Sequence, residues 1–226
     1  MDWRALVAAA ERTDLEAERR YSGRYRDYLL RRDDDAWWSA AGPSFDEANA
    51  LLTFLNKWGS RMTQNQAKGG DATVDYLCRT GARAAGLLKE FRSVSLLDVT
   101  LDSATRGAIA SALDAFSDGP RTYTTGGAKA LHMMNRALFP MWDDAIRVGY
   151  GLKGARGKDY ADLFLPHMQA EIAEALRTFV ADREASEGAA EHALETRCGR
   201  QWYRPLAKVA DEFNYWAFTQ PVGGKK

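Results

Sequence analysis

The sequence predicts an all-α protein, built as a compact multi-helix domain. Apolar residues recur at helical spacing through most of the 226 residues, while alternating β-branched runs are almost absent and 94–101 is the only strand candidate. Hydrophobic residues make up 46% of the chain, enough to bury a core without disulfides or metals. We expect residues 1–226 to form a single all-α unit, with two helical lobes and a cleft between them as the alternative.

Local signals divide the chain into helices. The segment 3–30 reads as one long helix or two, and Ser44 with a glutamate three residues later matches a capping box for the next. Two helices joined at Gly81 are expected within 73–91, and a serine is expected to cap a helix over 103–116. Later helices are expected at about 160–184, 189–198 and 205–218.

Composition excludes several classes of protein. Cys78 and Cys198 are too few and too far apart for a disulfide framework or a zinc site, so we expect free thiols. The N-terminal stretch is charged from its second residue, unlike a signal peptide, and apolar runs fall far short of the ~20 residues that span a bilayer. We therefore expect a cytoplasmic monomer with no membrane partner, no metal and no cofactor.

Charge is segregated along the chain although the total is zero. The net charge is +5 over 119–158 and +4 over 57–92, whereas 159–195 carries −7. Local fields matter more than the total for attracting a polyanion, so the basic stretches favour DNA as the partner. A solvated surface with accidental clustering is the alternative.

The stretch 124–151, TTGGAKALHMMNRALFPMWDDAIRVGYG, is the densest in residues that core packing does not explain. Thr125 can cap a helix that begins near Gly126. Gly126 and Gly127 would together form a turn that a ligand can approach closely, because neither residue has a side chain. The free amides of a first helical turn favour phosphate. Lys129 is expected in that first turn, where a cation is unfavourable unless an anion or reacting group lies nearby.

A helix-breaking segment and a pair of aspartates follow this helix in the sequence. Phe139 and Pro140 should end the helix, and Asp143 and Asp144 then stand at the start of the next one. One aspartate can cap that helix and leave the other for chemistry, or the pair can be a cap alone. For Lys129 the alternative is a solvated surface lysine. For His132, one turn beyond it, the alternative is a histidine that serves only packing.

The segment GGAKALHMMNRALFPMWDDAIR resembles the signature of the helix-hairpin-helix DNA glycosylase superfamily, nearest in character to its 8-oxoguanine glycosylase-like branch. In that superfamily a glycine-rich hairpin precedes a helix with an early lysine, and an aspartate follows a proline at the next helix. The resemblance covers about 25 residues within 119–151, which we interpret as the helix-hairpin-helix and catalytic aspartate segment. The positions that match are Pro140, Asp143 and Ile146, with Ala145 in the place of the family's histidine and Lys129 as the early lysine.

The segment departs from the family pattern in two respects. The interval from Lys129 to Asp143 is a few residues shorter than usual, and the hairpin reads TTGGAK where Leu-Pro-Gly-Val-Gly is common. The four-cysteine cluster of the iron–sulfur branch is absent from the sequence.

The resemblance implies a DNA N-glycosylase that flips a damaged or modified base, hypermodified phage bases included, and hydrolyses its glycosidic bond to leave an abasic site. Asp143 would stabilise positive charge on the sugar, and Lys129, if it reaches the sugar carbon, would form a Schiff base. Implied DNA contacts are Thr125, Gly126, Gly127, Lys153, Arg156 and Lys158. Residues expected at the base pocket are Trp58, Trp142, His132 and Asp144.

Two other functions remain open at this point. A non-catalytic helix-hairpin-helix DNA-binding protein would keep the hairpin and the basic residues but would not need Asp143. A helical interaction protein would carry the motif by chance and would need neither.

Overall fold

The protein is a set of helices packed around one hydrophobic core. The structure, a computed structural model, describes residues 1–17, 22–58, 60, 62, 70–117, 124–183, 187–199 and 203–220. Within these ranges no residue lies in a strand, and 94–101 forms turns and irregular backbone, so the all-α prediction is confirmed. Buried apolar side chains from Trp3 to Ala210 belong to one continuous cluster.

The α-helices follow in chain order, with two π-helical segments near the end. They are α1 (Trp3–Ala17), α2 (Ser22–Leu29), α3 (Phe45–Lys57), α4 (Gly70–Leu88), α5 (Ser103–Ser117), α6 (Thr124–Met134), α7 (Asp144–Gly149), α8 (Gly157–Asp159), α9 (Leu165–Arg183), α10 (Glu187–Cys198) and α11 (Leu206–Asn214). A π-helix over Tyr160–Phe164 joins α8 to α9, and a second over Tyr215–Thr219 extends α11.

Some predicted boundaries are confirmed and one is wrong. The Ser44 hydroxyl accepts from the Glu47 amide at 3.2 Å and caps α3, as expected. The predicted break at Gly81 is wrong, because α4 continues through it. A Cβ at Gly81 would lie 2.7 Å from the Pro43 ring, so the glycine serves close packing of the preceding loop on the helix.

The caps and joints of other helices also differ from expectation. Asp102, not Ser103, caps α5, since its Oδ1 accepts from the Thr105 amide at 2.8 Å. The segment 3–30, expected as one long helix or two, is two helices, α1 and α2, and the residues between them lie outside the described ranges. The segment 62–71, MTQNQAKGGD, is polar and glycine-rich, which favours an exposed loop. Gly70 instead begins α4, and residues 63–69 lie outside the described ranges.

The helices fall into two sets that share the core. In one set, α4 packs against α3 and α5, and α5 packs against α6 and α8. In the other, α1 packs against α9, α10 and α11. Tyr25 and Phe54, from α2 and α3, bring their ring centroids within 6.2 Å near the junction. No helix in the described part of the chain is long and apolar enough to cross a membrane.

Gly157, the first residue of α8, fixes the approach of that helix to α5. Its amide donates to Asp114 Oδ1 at 2.8 Å, and a Cβ would lie 2.0 Å from the carbonyl oxygen of Ala110. Contact this close is possible only without a side chain. It sets the position of the segment that follows α7.

We predict that Gly157→Ala lowers the free energy of unfolding by about 1–3 kcal/mol, because the methyl group would overlap a helix backbone. Gly107→Ala is the matched control within α5, since no atom lies within 4 Å of its Cβ position. That change should raise stability by about 0.5–1 kcal/mol through the entropy of the unfolded chain. Urea denaturation followed by circular dichroism measures both, and an unchanged Gly157→Ala would contradict this packing.

Candidate active site

A cavity of about 620 Å³ opens between the two sets of helices. Its walls come from α1, α2, α6, the start of α7, α11 and the π-helical extension of α11. The volume lies in the range of small-ligand sites, about 300–1,000 Å³. Among the residues that the sequence singled out, Thr125, Lys129, Trp58, Trp142, Asp143 and Asp144 line this cavity.

Asp143 is both the cap of α7 and a wall of the cavity. Its backbone is extended and its Oδ1 accepts from the Ile146 amide at 2.9 Å, which is the geometry of an N-cap. Its Oδ2 accepts from the Thr219 hydroxyl at 3.1 Å. The two alternatives for this residue therefore do not exclude one another, because the cap holds the carboxylate at the cavity.

Asp144 is different from its neighbour. Its side chain is 88% exposed, and Oδ1 lies 3.3 Å from the Arg147 guanidinium one turn along α7. That guanidinium also donates to the carbonyl of Leu152 at 3.1 Å. Asp144 reaches only the open side of the cavity, so Asp143 is the better fixed carboxylate of the pair.

Lys129 lies deeper in its helix than predicted. Because α6 begins at Thr124, Lys129 is in the second turn, not the first. Its Nζ donates to the Trp58 carbonyl at 2.8 Å and lies 5.0 Å from the Trp58 ring centroid. Burial lowers the pKa of Lys129 to about 8, with a small further effect of the Lys208 cation, while Asp211 and Asp143 oppose the shift. The amine thus lines the same cavity as the Asp143 carboxylate.

The predicted Gly-Gly turn is wrong. Gly126 and Gly127 are buried within α6, and a Cβ on Gly127 would lie 2.9 Å from Ser117 Oγ and 3.1 Å from Leu113 Cδ1. Gly127 allows α6 to pack closely on α5, which explains that glycine without a phosphate. Residues 118–123, between α5 and α6, lie outside the described ranges.

His132 is not part of the cavity wall. It is fully buried, and burial lowers its pKa well below the ordinary value, so the ring is neutral. Nδ1 donates to the Phe139 carbonyl at 2.7 Å, which leaves Nε2 to accept from the Tyr25 hydroxyl at 2.7 Å. The expectation of a base contact by His132 is therefore corrected: it orients Tyr25, which does line the cavity.

The two tryptophans that were expected at the base pocket differ in how far their rings are exposed. Trp58 is half-buried, with its ring centroid 5.2 Å from that of Tyr25. Trp142 is 2% exposed and packs edge-on against Tyr160 at 5.3 Å, so most of its ring belongs to the core. Trp58 is the better placed of the two to contact a planar ligand.

The three basic residues after α7 lie outside the cavity. Lys153, Arg156 and Lys158 are exposed, and Lys158 forms an ion pair with Asp162. They are surface residues and do not form part of the cavity wall. No cluster of His, Cys, Asp and Glu that could hold a metal ion occurs among the residues that the structure describes.

Sequence reasoning missed the contribution of the last helix. Lys208, Asp211 and Glu212 on α11 line the cavity and are each less than 10% exposed. Lysine followed by acids at i+3 and i+4 is also the pattern of a solvated helix face, so spacing alone does not indicate burial. The nearby aromatic wall, Trp216, lies in the second π-helix, a feature that is often found at functional sites.

Lys129 should titrate with a midpoint of about 8 instead of the ordinary 10.5. NMR of ¹³C-labelled lysine side chains measures this, with Lys129→Arg to assign the signal. Asp211→Asn should lower the midpoint further, because that carboxylate favours the charged amine. A midpoint near 10.5 would show that the amine is solvated and would contradict its burial at the cavity.

Comparisons of the chain with protein-family models, with curated protein sequences and with solved structures found no match in any of the three.

Proposed function

We propose that the protein is a DNA N-glycosylase that releases a damaged or modified base, hypermodified phage bases included, and leaves an abasic site. One observation carries the proposal. A capping carboxylate, that of Asp143, and an amine of lowered pKa, that of the half-buried Lys129, come from separate helices and line one cavity with aromatic walls. Perturbed titratable groups in a cleft are typical of catalytic sites.

The chemistry follows from these groups. A base must leave the helical stack before a protein can reach its glycosidic bond, and Tyr25, Trp58 and Trp216 supply rings that can contact the extruded base. As the C1′–N bond breaks, positive charge grows on the sugar and the fixed Asp143 carboxylate stabilises it. Water then adds to C1′, and its proton leaves through the same carboxylate.

Lys129 supplies a second route in this proposal. At neutral pH an amine with a pKa of about 8 is uncharged in about a tenth of molecules, far more often than a solvated lysine. The neutral amine can attack C1′ as the C1′–N bond breaks and the base departs with the electron pair. Opening of the C1′–O4′ bond with loss of the amine proton then gives a Schiff base, and elimination of the 3′ phosphate breaks the strand. The exposed cations Lys153, Arg156 and Lys158 would contact phosphates beside the cavity.

Asp143→Asn should reduce base release by about 100-fold or more, because asparagine keeps the cap but loses the charge. The assay incubates the protein with duplexes that carry a panel of modified bases and with modified phage genomes, and then applies alkali to cleave abasic sites. Asp102→Asn is the matched control, since Asp102 caps α5 in the same way and does not line the cavity. Full activity of Asp143→Asn would contradict the catalytic assignment.

A further inference from the structure

The inner wall of the cavity carries a charged pair that the proposed reaction has not yet used. Lys208 is 6% exposed and Asp211 is 4% exposed, and Lys208 Nζ lies 2.7 Å from Asp211 Oδ2. Both line the cavity. Replacement of such a buried pair by apolar residues often costs no stability, so stability alone does not account for it here.

The surroundings hold Lys208 as a fixed cation. Its Nζ lies 4.9 Å from the Tyr25 ring centroid, 5.8 Å from that of Trp58 and 3.6 Å from Glu212 Oε1. Burial alone would lower the pKa of Lys208, but the carboxylates of Asp211 and Glu212 outweigh burial and raise it above the ordinary value. Lys208 is therefore a charge and hydrogen-bond donor, not a nucleophile.

Glu212 has a second cation of its own. Arg204 Nε lies 3.2 Å from Glu212 Oε1, and Arg204 also pairs with Asp14 on α1. Both Arg204 and Lys208 approach Oε1 of Glu212, so two cations balance that carboxylate. Asp211 pairs with Lys208 at the shorter distance of 2.7 Å, so these two residues form a donor and an acceptor side by side.

We propose that the Lys208–Asp211 pair receives the hydrogen-bonding edge of the extruded base and selects bases in which a carbonyl oxygen adjoins a ring N–H. This inference rests on the proposed function. The ammonium donates to the carbonyl oxygen, and the carboxylate accepts from the ring N–H. The rings of Tyr25 and Trp58, which already contact the cation, lie beside the same position.

The preference for carbonyl-bearing bases arises as the C1′–N bond breaks. The electron pair of the C1′–N bond passes to the base, and its negative charge is shared with the carbonyl oxygen beside Lys208. Water supplies oxygen to C1′, and the proton that Asp143 takes from it then neutralises the released base. A base with an amino group beside a ring nitrogen can pair with the same residues in reverse order. In that order Lys208 donates to the ring nitrogen, which takes up less of the negative charge than a carbonyl oxygen does, so Lys208 accelerates its release less.

The test uses modified bases that differ only at this edge. Duplexes carry 5-hydroxymethyluracil or 5-hydroxymethylcytosine, and hypoxanthine or adenine, and single-turnover release of the free base is measured by mass spectrometry. We expect the carbonyl-bearing member of at least one pair to be released about tenfold faster or more. Faster release of the amino-bearing members would overturn the inference and leave the proposed function standing.

Substitutions at Lys208 and Asp211 test whether this preference between bases depends on the charged pair. Lys208→Met should slow release of the carbonyl-bearing base by about 100-fold, whereas Lys208→Arg should retain most of it. If Lys208→Met fails to fold, the charge-balanced double variant Lys208→Met/Asp211→Asn replaces it, with thermal unfolding as the check. A folded double variant with undiminished release would overturn the inference. Release of no base from any duplex, the modified phage genomes included, would instead contradict the proposed function and the inference with it.

Discussion

The two hydrogen bonds of the Asp143 carboxylate are the interaction on which the site depends. One oxygen accepts from the first turn of α7, and the other accepts from Thr219 at the end of the π-helix that extends α11. They join segments 76 residues apart in sequence and close the cavity on one side. Because a cap fixes the direction of its side chain, the carboxylate is in place before any substrate arrives, which is the condition for electrostatic catalysis.

The two lysines of the cavity show how one environment can produce opposite chemistry. Both contact the Trp58 ring, at 5.0 Å for Lys129 and 5.8 Å for Lys208. Carboxylates compensate the burial of Lys208 and raise its pKa, whereas burial prevails at Lys129 and lowers the pKa to about 8. Groups whose pKa values are pushed apart in this way can divide their roles. In our proposal, Lys208 provides a charge and Lys129 a nucleophile.

The sequence was informative where the determinants are local. A proline followed by two aspartates predicted the start of a helix with a carboxylate at its N-terminus, and Asp143 is found at that position. The same reasoning failed for Gly126 and Gly127, which lie within α6. Gly127 is required by its contact with α5 and not by its own turn preference. The burial of Lys208 was not predictable from spacing, since α1, almost two hundred residues earlier, covers α11.

The most direct test of the central claim does not require knowledge of the base. A pyrrolidine abasic analogue places a positive charge where the sugar carries it in the transition state, and a tetrahydrofuran analogue is its neutral match. The affinity of the protein for duplexes with each analogue should differ by about tenfold or more in favour of the cation. Asp143→Asn should abolish the difference and Asp102→Asn should keep it. Equal affinity for both analogues, or a preference that survives Asp143→Asn, would contradict the account.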